Sequence, residues 1–246
     1  MNESVYLDPS TYLESLRGER GRLAALADAD LTQTVTPCPE WTIDDLLIHV
    51  GRVHRWAMDA LEAPPDSAWP KMAPRPERGA DTLGWVLDGL GELVDKLTAV
   101  GPDRPCFSFG ADKTARFWYR RQALETALHR WDAQVTLGDA DAIPAELAAS
   151  GVDEWCEVQR LRWYRPSPDV VGSVHLHATD GEGEWLIETT PDGFQSSIGH
   201  KKGDAAIRGS RSDLYLVLWN RRPLTAVETF GDTDLIAGLL TNATVG

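Results

Sequence analysis

Apolar residues recur at spacings of three and four over the first 140 residues, a pattern that predicts amphipathic helices. We expect four helices, at about residues 10–29, 43–61, 82–100 and 115–137. Thr42 and Asp45 resemble a capping box at the start of the second helix, and Gly138 would close the fourth. Four such helices in about 140 residues are typical of an antiparallel four-helix bundle.

The pattern changes after about residue 165. Residues 170–179 alternate between apolar and polar side chains, which predicts a strand. Turn sequences at 180–181 and 192–193 flank a second strand at 184–190. Further strands are expected at 193–199, 205–208 and 226–231, and further helices at 145–163, 212–220 and 233–240. The chain is therefore predicted to be α+β, with a helical domain at 1–142 and a small α+β domain at 143–246.

The net charge of the chain limits the kinds of molecule that we expect it to bind. There are 24 Lys and Arg residues against 38 Asp and Glu residues, a formal net charge of −14. Such an acidic chain is poorly suited to neutralising nucleic-acid phosphates or to docking on anionic lipid. The first ten residues lack a basic segment followed by an apolar one, so we expect no signal peptide. Three widely spaced cysteines fit a reducing compartment. We expect a cytoplasmic protein, a monomer, with no nucleic-acid or membrane partner.

The candidate chemistry lies on the second and fourth helices. Glu125 and His129 are four residues apart, so their side chains share one helix face. His49 lies on the inner stripe of the second helix, where an apolar residue would be usual. If the two helices face each other, two imidazoles and one carboxylate would hold a divalent metal and leave coordination positions open. Asp132, one turn beyond His129, would orient its ring.

Other interpretations of these residues stay open at this point. A Glu/His pair at this spacing is also common as a hydrogen-bonded surface pair, and an inward-facing histidine is commonly a core residue. His54 is expected off the inner face, in solvent or in an interhelical hydrogen bond. His175 and His177 share a strand face, but no nearby carboxylate or cysteine completes a metal site in the sequence. The basic residues of the fourth helix are expected to form a solvated face: Arg116, Arg120, Arg121 and Arg130.

Several segments resemble one protein family. They are TPCPEWT at 36–42, DLLIHVGRVHRW at 45–56, ETALHRWD at 125–132 and GSRSDLYLVLWNR at 209–221. In this order they are similar to the mycothiol-dependent maleylpyruvate isomerase family, a branch of the DinB-like metal-binding bundles. The resemblance covers nearly the whole chain. It implies a DinB-like four-helix bundle followed by a C-terminal domain similar to sterol-carrier-type domains.

The resemblance also implies site residues and cofactors. The metal ligands of the family, usually assigned to zinc, fall on His49, Glu125 and His129, and the thiol cosubstrate would be mycothiol. From the residues alone, two imidazoles and a carboxylate suit zinc, iron or nickel. An arginine of the C-terminal domain serves the catalytic chemistry, and the Trp-x-Arg pattern places it at Arg221, with Arg211 and Arg222 close in sequence.

The sequence departs from the family pattern near this arginine. Asn220 stands where the family often has glycine, and Arg211 stands where a small residue is usual. These departures concern the substrate pocket rather than the metal ligands.

The activity implied by the resemblance is thiol-dependent isomerisation. A thiolate would add to an unsaturated dicarbonyl acid, the resulting single bond would rotate, and elimination would complete a cis–trans isomerisation. Two alternatives remain. The same scaffold would serve a mycothiol S-transferase that detoxifies electrophiles, or a non-catalytic member that binds a metal or small ligand.

Overall fold

The computed structural model describes residues 6–77 and 81–243, and within this part the chain forms two compact units. The first unit comprises Leu7–Ile143, and the second comprises the described residues from Pro144 onward together with Tyr6. The first unit holds four helices: α1 Pro9–Ala24, α2 Ile43–Glu62, α3 Thr82–Val100 and α4 Ala115–Thr136. The helix α1 and the helix α2 each pack against both α3 and α4. The predicted four-helix region is confirmed.

Local capping explains where the helices begin and end. The Thr42 side chain accepts a hydrogen bond from the Asp45 backbone N–H, and the Asp45 carboxylate accepts one from the backbone N–H of Thr42. The predicted capping box is therefore confirmed. Gly138 follows α4 with φ of 106°, a conformation that glycine adopts without strain. The helix α1 ends at Ala24 rather than near residue 29, because residues 25–29 form tighter turns that still bury Leu26.

The helix α4 is the most deeply buried element of the bundle. Eighteen of its side chains are buried, polar ones among them. The expectation of a solvated basic face is therefore wrong for Arg120, Arg121 and Arg130, which are at most 6% exposed, whereas Arg116 stays partly exposed. Arg130 forms a buried ion pair with Glu19 of α1, with 2.8 Å between Nε and Oε2.

The second unit combines helices with a mixed sheet. The helix α5, Ala145–Val158, continues into a π-helical turn at Gln159–Trp163. The strands are β1 Gly172–Ala178, β2 Glu184–Thr190, β3 Gly193–Ile198, β4 Ala205–Gly209 and β5 Glu228–Gly231, and the remaining helices are α6 Arg211–Leu218 and α7 Thr233–Asn242. The strand order is β3-β2-β1-β4-β5, with β1 and β4 parallel and the other neighbours antiparallel. The predicted α+β fold is confirmed.

The hairpin of β1 and β2 sets the register of the sheet. Its cross-strand pairs run from Gly172 opposite Thr189 to His177 opposite Glu184. Val174 and Leu176 point to the core, since both are fully buried. No helix in the described ranges has the length and apolar character that a membrane crossing needs.

Candidate metal centre

The structure brings together the three residues that the sequence proposed as metal ligands. His49 lies in the second turn of α2 and contacts Glu125 of α4. The His49 Nε2 lies 3.1 Å from Glu125 Oε1, and the His129 Nε2 lies 3.2 Å from the same oxygen. One potential ligand atom from each of the three residues lies within 4.8 Å of the others. The interpretation of Glu125 and His129 as a surface pair is wrong, because both are buried.

Asp132 fixes the orientation of the His129 ring. The ring Nδ1–H donates a hydrogen bond to Asp132 Oδ2 at 3.0 Å, and the carboxylate is fully buried. Because Nδ1 carries this proton, a neutral His129 has its lone pair on Nε2, the atom that faces Glu125. This is the arrangement in which a histidine serves as a metal ligand.

Charges around Glu125 keep its carboxyl ionised. Burial raises the pKa of Glu125, but the Arg121 guanidinium and the His129 ring hold the pKa well below its ordinary value. Arg121 forms an ion pair with Oε2, so Oε1 is the oxygen left toward the histidines. For His129, burial lowers the pKa, but Glu125 and then Asp132 raise it to about 9.

His49 forms the open side of the group. About 32% of its side chain is exposed, against 8% for His129. The Trp41 ring packs against it with 4.9 Å between ring centroids. Water or a small molecule therefore reaches the donor atoms most easily past His49.

The donor set fits a divalent metal ion. Ligands bound at about 2.0–2.1 Å in a tetrahedron lie about 3.3 Å apart. The two separations from Glu125 Oε1, 3.1 and 3.2 Å, are close to that value. Three protein ligands leave a further coordination position open, which is typical of catalytic rather than structural zinc sites.

His54, on the same helix as His49, has a different role. It is fully buried, so the expectation of a position off the inner face is wrong, while the expected interhelical hydrogen bond is present. The Thr126 hydroxyl donates to the Gln122 carbonyl, so His54 Nε2–H is the donor in its 3.0 Å contact with Thr126 Oγ1. Burial lowers the pKa of His54 to about 3, which keeps this ring neutral.

Arg221 lies in the second unit, three residues after the end of α6. Its Nη1 donates to the Trp219 carbonyl at 3.0 Å, and its backbone N–H donates to the Leu216 carbonyl at 2.7 Å. Two other arginines, one at the start of α6 and one after its end, have acidic partners. Arg211 pairs with Glu146 and Asp180, and Arg222 pairs with Asp213.

Asn220 shows why glycine suits its position. Its φ is 56°, in the left-handed region, and among the described residues it is the one non-glycine residue with a positive φ. Asparagine tolerates this conformation better than other non-glycine residues. The departure from glycine is therefore compatible with the same backbone path into Arg221.

Sequence reasoning missed a second cluster of metal-ligand side chains. His175 and His177 are joined by Glu184 and His200, with one potential ligand atom of each within 4.8 Å of the others. The expectation that no carboxylate completes this group is wrong. The predicted turn at 180–181 contained the necessary information, since closing that hairpin places Glu184 opposite His177.

Comparisons with known proteins agree with this architecture. The family model of the mycothiol maleylpyruvate isomerase N-terminal domain matches residues 14–134, and the model of the MDMPI C-terminal domain matches residues 146–238. Among solved structures, the mycothiol-dependent maleylpyruvate isomerase is 14% identical to the chain, with a TM-score of 0.57. A histidine-to-alanine mutant of the mycothiol-dependent maleylpyruvate isomerase is 12% identical, with the same TM-score. Both alignments cover 91% of this chain and 93% of the other. No curated protein matches the chain significantly.

Proposed function

Because the chain belongs to the mycothiol maleylpyruvate isomerase family, we propose that it is a metal-dependent enzyme that uses mycothiol to isomerise a small electrophilic substrate. The observation that carries the proposal is the convergence of His49, Glu125 and His129 on one point inside the bundle. An ionised carboxylate and two imidazoles form a set of donors for a divalent metal, with zinc as the proposed ion. We propose further that the protein is a cytoplasmic monomer.

The residues that would hold the metal are these three. When bound, a divalent metal supplies a Lewis acid with an open position and favours the thiolate form of a thiol. The protein prepares the ligands for this role. Asp132 holds the proton of His129 on Nδ1, and Arg121 holds the second oxygen of Glu125. The low exposure of Glu125 and His129 keeps bulk water away from that side.

We propose that Arg221 binds the acidic group of the substrate. This role comes from the resemblance, and its support is chemical, because a guanidinium recognises a carboxylate through paired hydrogen bonds. Arg221→Lys keeps the charge but loses the paired geometry. We expect it to lower kcat/KM while leaving the metal content unchanged.

The experiment that tests the proposal compares His49→Ala with His54→Gln. Both variants change a histidine of α2, but only the first removes a proposed ligand. Each purified protein is analysed for metal and then mixed with mycothiol and an unsaturated dicarbonyl acid. We expect His49→Ala to lose bound metal and thiol-dependent isomerisation together, and His54→Gln to keep both. Full activity in metal-free His49→Ala protein would contradict the proposal.

The same assay separates the alternative functions. An isomerase returns the thiol unchanged, so the thiol concentration stays constant while the substrate is converted. A transferase consumes the thiol and accumulates a thioether conjugate. A binding protein contains metal but converts none of the substrates over a panel of unsaturated acids and epoxides.

A further inference from the structure

A second group of metal-ligand side chains lies on the sheet of the C-terminal unit. We call it the sheet histidine cluster: His175 and His177 of β1, Glu184 of β2 and His200, which follows β3. His175 and His177 are two residues apart in a strand, so they share one face, and Glu184 is the cross-strand partner of His177. A backbone hydrogen bond from Gly199 to Glu184 extends the pairing of β2 and β3 and brings His200 to the same place.

Contacts within the cluster centre on one carboxylate oxygen. Glu184 Oε1 accepts hydrogen bonds from His177 Nδ1 at 2.7 Å and from His200 Nδ1 at 3.0 Å. The His175 ring packs edge-on against the His200 ring, with 5.2 Å between centroids. One donor atom from each of the four residues lies within 4.8 Å of the other three.

His175 makes the cluster more than a surface network of hydrogen bonds. It is buried, with 7% of its surface exposed, and its Nε2 has no hydrogen-bond partner. A buried nitrogen without a partner is costly, and native structures generally satisfy such atoms. A metal ion bound by the cluster would engage a lone pair of this ring.

We propose that His175, His177, Glu184 and His200 bind a second divalent first-row transition metal ion, separate from the candidate centre in the helical bundle. Three imidazoles and one carboxylate are ligands that such ions accept. Four protein ligands fill a tetrahedral shell, so this site is closed and structural rather than catalytic.

The cluster can tighten to the spacing that a metal needs. Tetrahedral ligands lie about 3.3 Å apart, so some separations in the cluster must shorten. His200 can supply this movement, because 76% of its side chain is exposed and it belongs to the connection between β3 and β4. Its binding would anchor this connection to β1, and the ion would stabilise the C-terminal unit.

The test measures how many zinc equivalents the full-length protein binds. Any affinity tag and any bound metal are removed first, and zinc is then added back. We compare the unchanged protein with His200→Ala, Glu184→Gln and Lys201→Ala. Lys201 is the exposed neighbour of His200, and its amine donates to Ser197 outside the cluster. We expect His200→Ala and Glu184→Gln each to bind one zinc equivalent fewer than the unchanged protein, and Lys201→Ala to bind the same number.

A second readout reports on the site directly, with circular dichroism to check the fold, and Glu184→Gln takes the place of His200→Ala if that variant folds poorly. Cobalt bound by four protein ligands in a tetrahedron gives intense visible absorption, and His200→Ala should lose this component while its circular dichroism stays unchanged. Equal zinc stoichiometry in the unchanged protein and in His200→Ala would overturn the proposal. His49→Ala distinguishes the two sites, because it removes a ligand of the bundle centre and leaves the sheet histidine cluster intact. If His200→Ala and Glu184→Gln lower the stoichiometry and His49→Ala does not, the sheet site stands and the bundle centre fails.

Discussion

Asp132 and His129 are joined by a 3.0 Å hydrogen bond between the ring Nδ1 and a fully buried carboxylate oxygen. The two residues are three apart on α4, so the helix itself holds the carboxylate beside the ring. The contact leaves Nε2 facing Glu125 and His49. The carboxylate therefore positions the ring without contacting the proposed metal position.

Replacement of Asp132 by Asn tests this positioning role. The amide removes the negative charge and weakens the preference for the Nδ1–H form of His129. Loss of such a supporting contact typically lowers metal affinity by about 10-fold to 100-fold. We expect a zinc affinity reduced within this range, measured by competition with a chelator of known affinity. Asp44→Asn, on α2, removes a charge elsewhere and should leave the affinity unchanged. An unchanged affinity in Asp132→Asn would show that the ring is oriented by its packing alone.

The sequence predicted that the three residues of the candidate metal centre come together because their placement is mostly local. Helical spacing alone puts Glu125 and His129 on one face, and the apolar stripe of α2 identifies His49 as inward. Only the meeting of the two helices required the fold. The capping box at Thr42 is equally local, and it too was predictable.

The errors concern properties that depend on the whole fold. The charged residues of α4 looked like a solvated face, but burial of this helix is decided by the helices that surround it. Strand register brings Glu184 and His200 to the two sheet histidines. The spacing of residues within one strand does not reveal this register. Such cross-strand partners become visible only when a hairpin is closed explicitly.

His54 should make stability depend on pH. Burial lowers its pKa from 6.5 to about 3, so the folded protein resists protonation of this ring, whereas the unfolded chain does not. The stability contribution is complete above pH 6.5 and is lost as the pH falls from 6.5 toward 3. Between pH 7.5 and 5.5 the loss should be about 1 kcal/mol, because one pKa unit corresponds to about 1.4 kcal/mol.

The measurement is urea unfolding of chelator-treated protein at both pH values, with His54→Gln for comparison. Glutamine can still donate to Thr126 but does not titrate. Groups common to both proteins cancel in the difference, so the pH-dependent loss in the unchanged protein should exceed that of the variant by about 1 kcal/mol. Equal losses would mean that His54 is not held neutral by burial.

The buried pair of Glu19 and Arg130 should be costly to break from one side. Both side chains are fully buried, and the pair joins α1 to α4. Glu19→Leu leaves an unpaired buried charge, and such a loss costs about 3–5 kcal/mol. Arg130 keeps hydrogen bonds to Gln134 and to the Asp141 carbonyl, so we expect the lower end of this range.

A double-mutant cycle with Arg130→Leu is the check. The double variant contains neither charge, so its loss in the free energy of unfolding should be smaller than the sum of the two single losses. Urea denaturation gives the three values. Additive losses would show that the two charges do not stabilise each other in the folded protein.

Asn220 offers a way to separate backbone conformation from chemistry beside Arg221. Its φ of 56° is unfavourable for residues with a Cβ by about 1–2 kcal/mol, and its side-chain amide donates to the Leu240 carbonyl at 3.3 Å. Asn220→Ala and Asn220→Gly lose the same hydrogen bond, but only glycine adopts the left-handed conformation freely. The glycine variant should therefore be more stable than the alanine variant by about 1 kcal/mol in thermal unfolding. Because glycine keeps the backbone path, it should also leave kcat/KM of the proposed isomerase unchanged. A glycine variant no more stable than the alanine variant would show that the residue carries no conformational strain.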